Sequence, residues 1–402
     1  MRYPIPRFGG DGFDILLQGF HWESHLGDPG QNGHGEKTWF RIVKENAAVI
    51  RSAGFSWVWL PPCSDSLAPQ GYIPRRWFDF DTAYGSEHEL RALLHELGPV
   101  KAMADVVLNH RVGVHTAGAD FDEPAFPDNR AAIASDDESG VGTGAPDTGE
   151  RHPCGRDLDH TNAGMRWTAK QYLQRLRGMG FQGFRYDLVK GFGPGFIGEY
   201  NDTATPKLSV GECFETDRHA VARWMDGTGG KSSAFDFPTR YALWSACNSN
   251  DFHNLRHGDG AAGLIGLRPE RSVTFVDNHD TEWRRESEHQ ANYDATRHFP
   301  GAAAEMAYAY TMTHPGIPCV FWAHFFDWGV AARRRIEQLM ALRREQGLHA
   351  ACRLRILEAR HGLYAAVAEG RVAVKLGWGE WRPPGPGWSE RVRGERFTVW
   401  AR

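Results

Sequence analysis

Short apolar runs alternate with segments of helical periodicity over most of this chain. Amphipathic spacing predicts helices over residues 87–97, 165–176 and 306–312, the last followed by a His-Pro-Gly stop signal at residues 314–316. Eight strands with intervening helices are the number that a (β/α)8 TIM barrel requires, so we predict this α/β fold. The predicted strands lie at residues 15–20, 57–60, 102–107, 183–187, 208–212, 234–237, 273–280 and 319–322.

Two segments interrupt the alternation and predict additional domains. Residues 109–163 are rich in Gly, Asp and Pro, show little periodicity and are too long for an ordinary loop after a strand. Alternating apolar and polar positions over residues 363–367, 371–376 and 396–400 predict a small antiparallel sheet. We therefore expect a barrel at residues 1–108 and 164–347, an irregular loop domain inserted after strand 3 at 109–163, and a C-terminal antiparallel β-sheet domain at 348–402.

Composition is typical of an ordinary globular protein and excludes several other classes. Of 402 residues, 41% are hydrophobic and 24% charged, and the net charge of −4 gives no basic excess for nucleic acid. No run of about 18 apolar residues predicts a membrane span. No apolar signal segment follows Met1, so we expect a soluble chain, cytoplasmic as written, or secreted if a signal peptide was removed. The six cysteines form no C-x-x-C pair, and we expect buried free thiols.

Three acidic residues end apolar runs that predict buried strands. They are Asp187, Glu212 and Asp280. Carboxylates are costly to bury, and the carboxyl ends of barrel strands are where such folds place functional groups. Neighbouring strands lie about 4.8 Å apart, so Asp187 and Glu212 can approach the separation of roughly 5 Å that a retaining glycosidase needs. A structural alternative is that these acids form ion pairs in the barrel or cap helices.

The neighbours of the two acids suggest different roles for them. Arg185 lies two residues before Asp187, on the same side of a strand, and would keep this carboxylate ionised as a nucleophile. Glu212 stands beside Cys213 and Phe214, surroundings that would raise its pKa toward that of a general acid. The pattern therefore indicates glycoside hydrolysis.

Four segments, at residues 105–110, 183–187, 211–212 and 275–280, resemble in order the four conserved regions of the α-amylase family of glycoside hydrolases. The resemblance extends over nearly the whole chain and is greatest to plant-type α-amylases and related bacterial maltooligosaccharide-forming enzymes. It implies Asp187 as nucleophile, Glu212 as acid/base and Asp280 as the residue that stabilises the transition state. It also implies a set of substrate-binding residues, namely Tyr72, His110, Arg185, Lys190, Phe214 and His279. Phe214 departs from the family, which usually has tryptophan at that position.

A calcium site is expected in the long insertion. Asn109, Asp147 and Asp157 supply the hard oxygen atoms that Ca²⁺ prefers, although acidic residues in Gly-rich loops are usually solvated. The resemblance favours Ca²⁺ as a structural ion and implies two further ligands, the backbone carbonyls of Glu150 and Gly191.

The resemblance implies a retaining endo-acting α-amylase that hydrolyses α-1,4 bonds of starch, glycogen or maltooligosaccharides. We expect it to act as a monomer, with no nucleic-acid or membrane partner. Two alternatives stay open at this point. One is an α-glucan transglycosylase on the same fold, which would exclude water from the glycosyl-enzyme intermediate. The other is a non-catalytic glycan-binding protein, against which the intact acidic set argues.

Overall fold

A closed barrel of eight parallel strands forms the centre of the molecule. The computed structural model describes residues 6–27, 37–114, 119–283 and 298–402. Each strand pairs in parallel with its sequence neighbours, and β8 closes the barrel by pairing with β1. This confirms the predicted (β/α)8 fold. The strands are β1 (Leu16–Gln18), β2 (Trp57–Leu60), β3 (Lys101–Val106), β4 (Gly183–Tyr186), β5 (Leu208–Gly211), β6 (Ser233–Phe235), β7 (Ser272–Phe275) and β8 (Ile317–Phe321).

Helices cover the outside of the barrel. Those predicted at residues 87–97, 165–176 and 306–312 are observed as α3, α4 and α8 below. Ser86 starts α3 with a capping box, in which its hydroxyl accepts the Glu89 N–H while the Glu89 carboxylate accepts the Ser86 N–H. The helices are α1 (Trp39–Glu45), α2 (Ala47–Ala53), α3 (Glu87–Glu96), α4 (Ala163–Met179), α5 (Pro194–Ala204), α6 (Arg218–Gly227), α7 (Phe237–Ser249), α8 (Gly301–Thr313) and α9 (Val330–Glu345). No helix among the described residues is both long enough and apolar enough to cross a membrane.

The segment between β3 and α4 is irregular, as expected. Its described part consists mainly of turns and contains one short ladder, in which His110–Arg111 pairs antiparallel with Arg156–Asp157. This ladder brings the end of the insertion back beside its beginning. The domain boundaries at 109 and 163 stay a prediction.

A five-stranded antiparallel sheet follows the barrel. Its strands are β9 (Leu354–Arg360), β10 (Leu363–Ala368), β11 (Val372–Leu376), β12 (Ser389–Arg393) and β13 (Phe397–Ala401), in the order β9-β10-β11-β13-β12. The three runs predicted from alternation correspond to β10, β11 and β13. His314, at the end of α8, lies with its Nε2 2.7 Å from the Tyr364 hydroxyl of β10 and so fastens this sheet to the barrel.

The three acids do not all lie at strand ends. Asp187 and Glu212 directly follow β4 and β5, whereas β7 ends at Phe275 and Asp280 comes five residues later. The expectation that the strand runs as far as Asp280 is therefore wrong. The physical reason is a side-chain turn, because the Asn278 Oδ1 accepts the N–H groups of Asp280 and Thr281 and ends strand pairing.

The buried Arg343 of α9 ties the end of α8 to the start of β8. Its Nη1 donates to the carbonyls of Met312 and His314, at 3.1 and 2.8 Å, and its Nη2 donates to the Gly316 carbonyl at 2.7 Å. These carbonyls lie at and beyond a helix C-terminus, where acceptors lack partners within the helix.

We expect Arg343→Met to destabilise the protein on the order of 3 kcal/mol, because it leaves buried carbonyls without a donor. Thermal unfolding at a fixed scan rate would measure the loss. Arg334→Met, an exposed arginine of the same helix, is the matched control and should change little. Equal melting temperatures for the two variants would contradict the role given to Arg343.

Candidate active site

A cleft of about 640 Å³ opens at the carboxyl ends of the barrel strands. The structure places the three predicted acids together on its walls, although they come from three different loops. Arg185 lies below the floor and is completely buried. The predicted residues that line the cleft are Asp187, Glu212, Asp280, Tyr72, His110, Lys190, Phe214 and His279.

Arg185 joins three carboxylates. Its Nη1 donates to Asp187 Oδ1 at 2.7 Å and to Asp105 Oδ1 at 2.8 Å. Its Nη2 lies 2.6 Å from Glu212 Oε1, within ion-pair distance but outside hydrogen-bond geometry. Because the guanidinium is always charged, it attracts the two of these acids that line the cleft, Asp187 and Glu212, toward the same point.

Glu212 is the acid whose surroundings most disfavour ionisation. Burial raises its pKa well above the ordinary value; Arg185 opposes this rise, and the negative charges of Asp187 and Asp280 add to it. The N–H of Leu188 donates to Glu212 Oε2 at 3.1 Å and also stabilises the ionised form. The net result is a carboxyl group suited to donate a proton.

Asp280 lies on the opposite wall beside His279. The Nε2 of His279 is 3.2 Å from Asp280 Oδ2, and its Nδ1 is 3.0 Å from the Gln18 Nε2. An amide nitrogen can only donate, so Nδ1 accepts and Nε2 carries the proton that faces Asp280. The Asp280 side chain keeps 36% of its surface exposed, and it is the most open of the three acids.

Three parallel rings form one side of the cleft. Tyr72 and His279 have ring centroids 5.1 Å apart and an interplanar angle of 3°, and Trp22 lies parallel to both at 6.1 and 6.3 Å. These flat faces are suited to stacking against a sugar ring. His110 instead donates from Nε2 to the Tyr72 carbonyl at 2.8 Å, and burial lowers its pKa. The one N–H group of this neutral ring is therefore donated to the protein backbone.

The other side of the cleft carries Lys190 and Phe214. The Lys190 Nζ lies 3.0 Å from Glu150 Oε2 and 3.4 Å from Glu215 Oε2, so it bridges the insertion and the loop after β5. Phe214 is 38% exposed and packs at 4.4 Å between ring centroids against Phe237. Both residues are available to a ligand that extends past Glu212.

The residues predicted to bind a cation meet where the insertion contacts the barrel. The Asn109 Nδ2 donates to Asp157 Oδ1 at 3.1 Å, and both residues are buried. A Cβ on Gly191 would lie only 1.9 Å from Asn109 Oδ1, so the glycine allows the carboxamide to pack directly on the backbone. The Glu150 side chain points to Lys190 instead, which leaves its backbone carbonyl as the candidate ligand.

The chemistry of this donor set fits a hard cation. The Oδ2 atoms of Asp147 and Asp157 are buried and have no hydrogen-bond partner among the described residues. Burial, followed by the charge of Asp147, raises the pKa of Asp157 to about 7. A divalent cation would offset the repulsion between these buried carboxylates. Carboxylate oxygens of Asp137, Glu138 and Asp157 also lie within 4.8 Å of one another, and sequence reasoning did not single out Asp137 or Glu138.

Three other residues in or beneath the cleft were not predicted. Asp105 accepts from Arg185, the Tyr72 hydroxyl and the Trp59 Nε1, and an acid inside the apolar run of β3 was a signal that could have found it. Trp22 lines the cleft from a 3-10 turn, Trp22–Leu26, which lies outside every predicted element. Leu188 contributes a backbone N–H, for which the sequence gives no signal.

This geometry provides the parts of an acid–base displacement at an acetal carbon. A carboxyl group that accepts a hydrogen bond from Arg185, a second carboxyl with a raised pKa and a third, more open acid surround one space in the cleft. Aromatic faces line one side of that space. The set is suited to cleavage of glycosidic bonds.

Comparison with known proteins agrees with this geometry. Residues 345–401 match the family model of the alpha-amylase C-terminal beta-sheet domain. The chain is 36% identical to probable alpha-amylase 2 of Arabidopsis thaliana, over 97% of this chain and 94% of that protein. It is 30% identical to a glucan 1,4-alpha-maltotetraohydrolase of Roseateles saccharophilus, over 90% of this chain and 66% of that protein.

A solved structure supports the fold independently of close sequence similarity. The alpha-amylase of Geobacillus thermoleovorans, solved with acarbose, superimposes with a TM-score of 0.65 at 17% identity, over 93% of this chain and 87% of that one. Together with the 36% identity to a plant relative over almost its full length, this confirms the resemblance inferred from the motifs. The chain belongs to the α-amylase family of glycoside hydrolases.

Proposed function

We propose that this protein is an α-amylase that hydrolyses internal α-1,4 bonds of starch, glycogen or maltooligosaccharides with retention of anomeric configuration. The observation that carries the proposal is the shared contact of Asp187 and Glu212 with the two terminal nitrogens of Arg185. These nitrogens are bonded to one carbon, which favours the separation of roughly 5 to 5.5 Å used by retaining glycosidases over the wider gap of inverting ones.

Asp187 is the nucleophile in this proposal. Its Oδ1 accepts from Arg185, which leaves Oδ2 to attack the anomeric carbon from the face opposite the leaving group. The carbon–oxygen bond to the leaving sugar breaks as the bond to Asp187 forms, giving a covalent glycosyl-enzyme. The hydrogen bond from Arg185 holds the Asp187 side chain in place for this step.

Glu212 is the acid and then the base. Because its pKa is raised, the Glu212 carboxyl group is protonated and donates this proton to the departing glycosidic oxygen. The resulting carboxylate then removes a proton from water as the water oxygen bonds to the anomeric carbon and Asp187 leaves. The same group therefore serves both half-reactions, and no redox or nucleotide cofactor is needed.

The remaining residues hold the attacked glucose. We assign Asp280 to its ring hydroxyls and to the positive charge that develops at the anomeric carbon. His279 would donate from Nε2 to the same hydroxyls, and Tyr72 would stack on the ring. Lys190 and Phe214 would contact the sugar on the leaving-group side. We also propose that the protein acts as a monomer, for which one chain supplies all three acids.

Calcium is the structural ion in the proposed enzyme. Asn109, Asp147 and Asp157 would bind it through side-chain oxygens, and Glu150 and Gly191 through backbone carbonyls. When bound, the ion neutralises buried carboxylates and joins the insertion to the barrel. The buried, unpartnered Oδ2 atoms of the two aspartates support this assignment.

The first experiment follows maltoheptaose cleavage by time-resolved proton NMR in calcium-containing buffer. We expect the α-anomer of the shorter products to appear first, because two inversions give net retention. Products from internal cleavage should precede accumulation of glucose or maltose. The β-anomer appearing first would refute the double displacement. Dominant longer products at high maltose concentration would instead indicate the transglycosylase.

Glu212→Gln tests the assignment of the acid/base. We expect kcat/KM for maltoheptaose to fall roughly 10² to 10⁴-fold, because an amide cannot protonate the leaving oxygen. An aryl maltotrioside with an acidic phenol needs no such proton, so a burst of phenol should survive. Azide should then restore turnover by giving the α-glycosyl azide.

Two comparisons sharpen this test. Asp187→Asn with azide should give the β-glycosyl azide instead, since azide then replaces the nucleophile. Glu395→Gln, an exposed glutamate before β13, controls for the substitution itself. Full activity of Glu212→Gln on maltoheptaose would remove Glu212 from the mechanism.

Calcium should stabilise the protein more strongly at pH 8 than at pH 5.5. The metal-free native state has a pKa of about 7 at Asp157, above that of the unfolded chain, so it binds more protons and loses stability as pH rises toward and through 7. Ionised Asp157 is also the form that binds calcium. The rise in melting temperature on adding calcium to chelator-treated protein measures this difference.

Asp157→Asn should reduce both the calcium effect and its pH dependence. Asp122→Asn, which alters an exposed aspartate of the same insertion, should keep both. A calcium effect that is equal at the two pH values, or unchanged in Asp157→Asn, would contradict the assigned site.

A further inference from the structure

Leu188, the residue after the proposed nucleophile, has a left-handed backbone conformation with φ 44° and ψ 48°. This region is unfavourable for a residue with a Cβ atom, because that atom approaches the following carbonyl oxygen, so a leucine there requires support from its surroundings. Five described non-glycine residues have positive φ, namely Phe8, Leu188, Thr205, Asn250 and Glu369. Of these, Leu188 alone lines the catalytic cleft.

The chain is fixed on both sides of Leu188. Before it, the N–H of Asp187 donates to the Val106 carbonyl of β3 at 2.9 Å. After it, a short 3-10 turn, Val189–Gly191, is closed by the Gly191 N–H on the Leu188 carbonyl at 3.1 Å. The Lys190 carbonyl accepts the Glu150 N–H at 2.8 Å, which holds this turn against the insertion.

Between these anchors, the peptide group that joins Asp187 to Leu188 directs its N–H at Glu212 Oε2, 3.1 Å away. A positive φ at Leu188 lets the chain turn directly after this peptide group and enter the 3-10 turn. With a negative φ, the peptide group would have to rotate to connect the same anchors, and its N–H would leave Glu212.

We propose that the left-handed conformation of Leu188 is a positioning device that holds the Glu212 carboxyl through the Leu188 N–H. Leu188 is a positioning residue, because it acts through Glu212. The inference rests on the acid/base role proposed for Glu212 and adds what sets the orientation of that group. Arg185 fixes Oε1 from below, and the Leu188 N–H fixes Oε2, so both oxygens have a defined place.

The charged groups that face Glu212 are Arg185 and Asp187 from the end of β4 and Asp280 from the loop after β7. The Leu188 N–H stabilises the ionised carboxylate against the two aspartates and against burial. Without this donor the pKa of Glu212 would rise further. The acid would then stay protonated to higher pH. The basic limb of the pH profile of kcat/KM would therefore shift to higher pH.

The test compares Leu188→Val with Leu188→Asn. Both variants remove the leucine surface from the cleft, so the comparison between them isolates the backbone. A β-branched valine strongly disfavours the left-handed region, whereas asparagine tolerates it. Relative to the Asn variant, we expect the Val variant to lose about 10 to 100-fold in kcat on maltoheptaose, because its acid is misplaced.

Two measurements, the pH profile of kcat/KM and the phenol burst from an activated substrate, would not change if the variant were only less stable. The basic limb of kcat/KM should lie about one pH unit higher in the Val variant, the amount expected for loss of one hydrogen bond to a charged group. The phenol burst from an aryl maltotrioside should differ little between the two variants, since that step needs no acid. Equal pH profiles and equal kcat values would overturn the proposal.

Circular dichroism and melting temperature establish that each variant folds. If Leu188→Val does not fold, Leu188→Gly provides the second test, because glycine adopts the left-handed region freely. Leu188→Gly and Leu188→Asn should then both keep the wild-type basic limb, and a shift in either would overturn the proposal. Failure of the parent assignment is distinguishable, since Glu212→Gln would then remain active on maltoheptaose.

Discussion

The catalytic face of this barrel depends on one buried cation and the acids around it. Arg185 of β4 is in register with Asp105 of β3 and Val210 of β5, and Glu212 follows two residues after Val210. Asp187 is two residues beyond Arg185 and therefore on the same side of the strand. Parallel pairing of these three adjacent strands thus brings three carboxylates to one guanidinium.

Buried Arg185 contacts the two cleft acids with different geometry. The rings of Trp59 and Tyr72 pack over its guanidinium, at 5.1 and 5.7 Å from their centroids, and keep water from it. In this poorly solvated site Arg185 donates a hydrogen bond directly to Asp187. Glu212 has only a non-ideal contact with the same group, so burial outweighs attraction and its pKa rises.

The sequence was informative where local pattern and strand pairing coincide. Apolar runs located all eight barrel strands, and alternation placed Arg185 beside Asp187. The contact of Asp105 with Arg185 joins residues 80 positions apart and depends on pairing of two strands, which no local pattern shows. The position of Asp280 depends on the side chain of Asn278, and that of Glu212 on a backbone N–H. The strands β9 and β12 were missed because they show no clear alternation of apolar and polar residues.

A single short turn connects the candidate cation site with the proposed acid/base. At its end, Gly191 packs against Asn109, and a side chain there would collide with the carboxamide oxygen. At its beginning, Leu188 gives its N–H to Glu212. The turn is only three residues long, so these two contacts lie close together along the chain. The insertion therefore does more than cover the barrel, because it contacts the same turn whose preceding peptide group donates its N–H to Glu212.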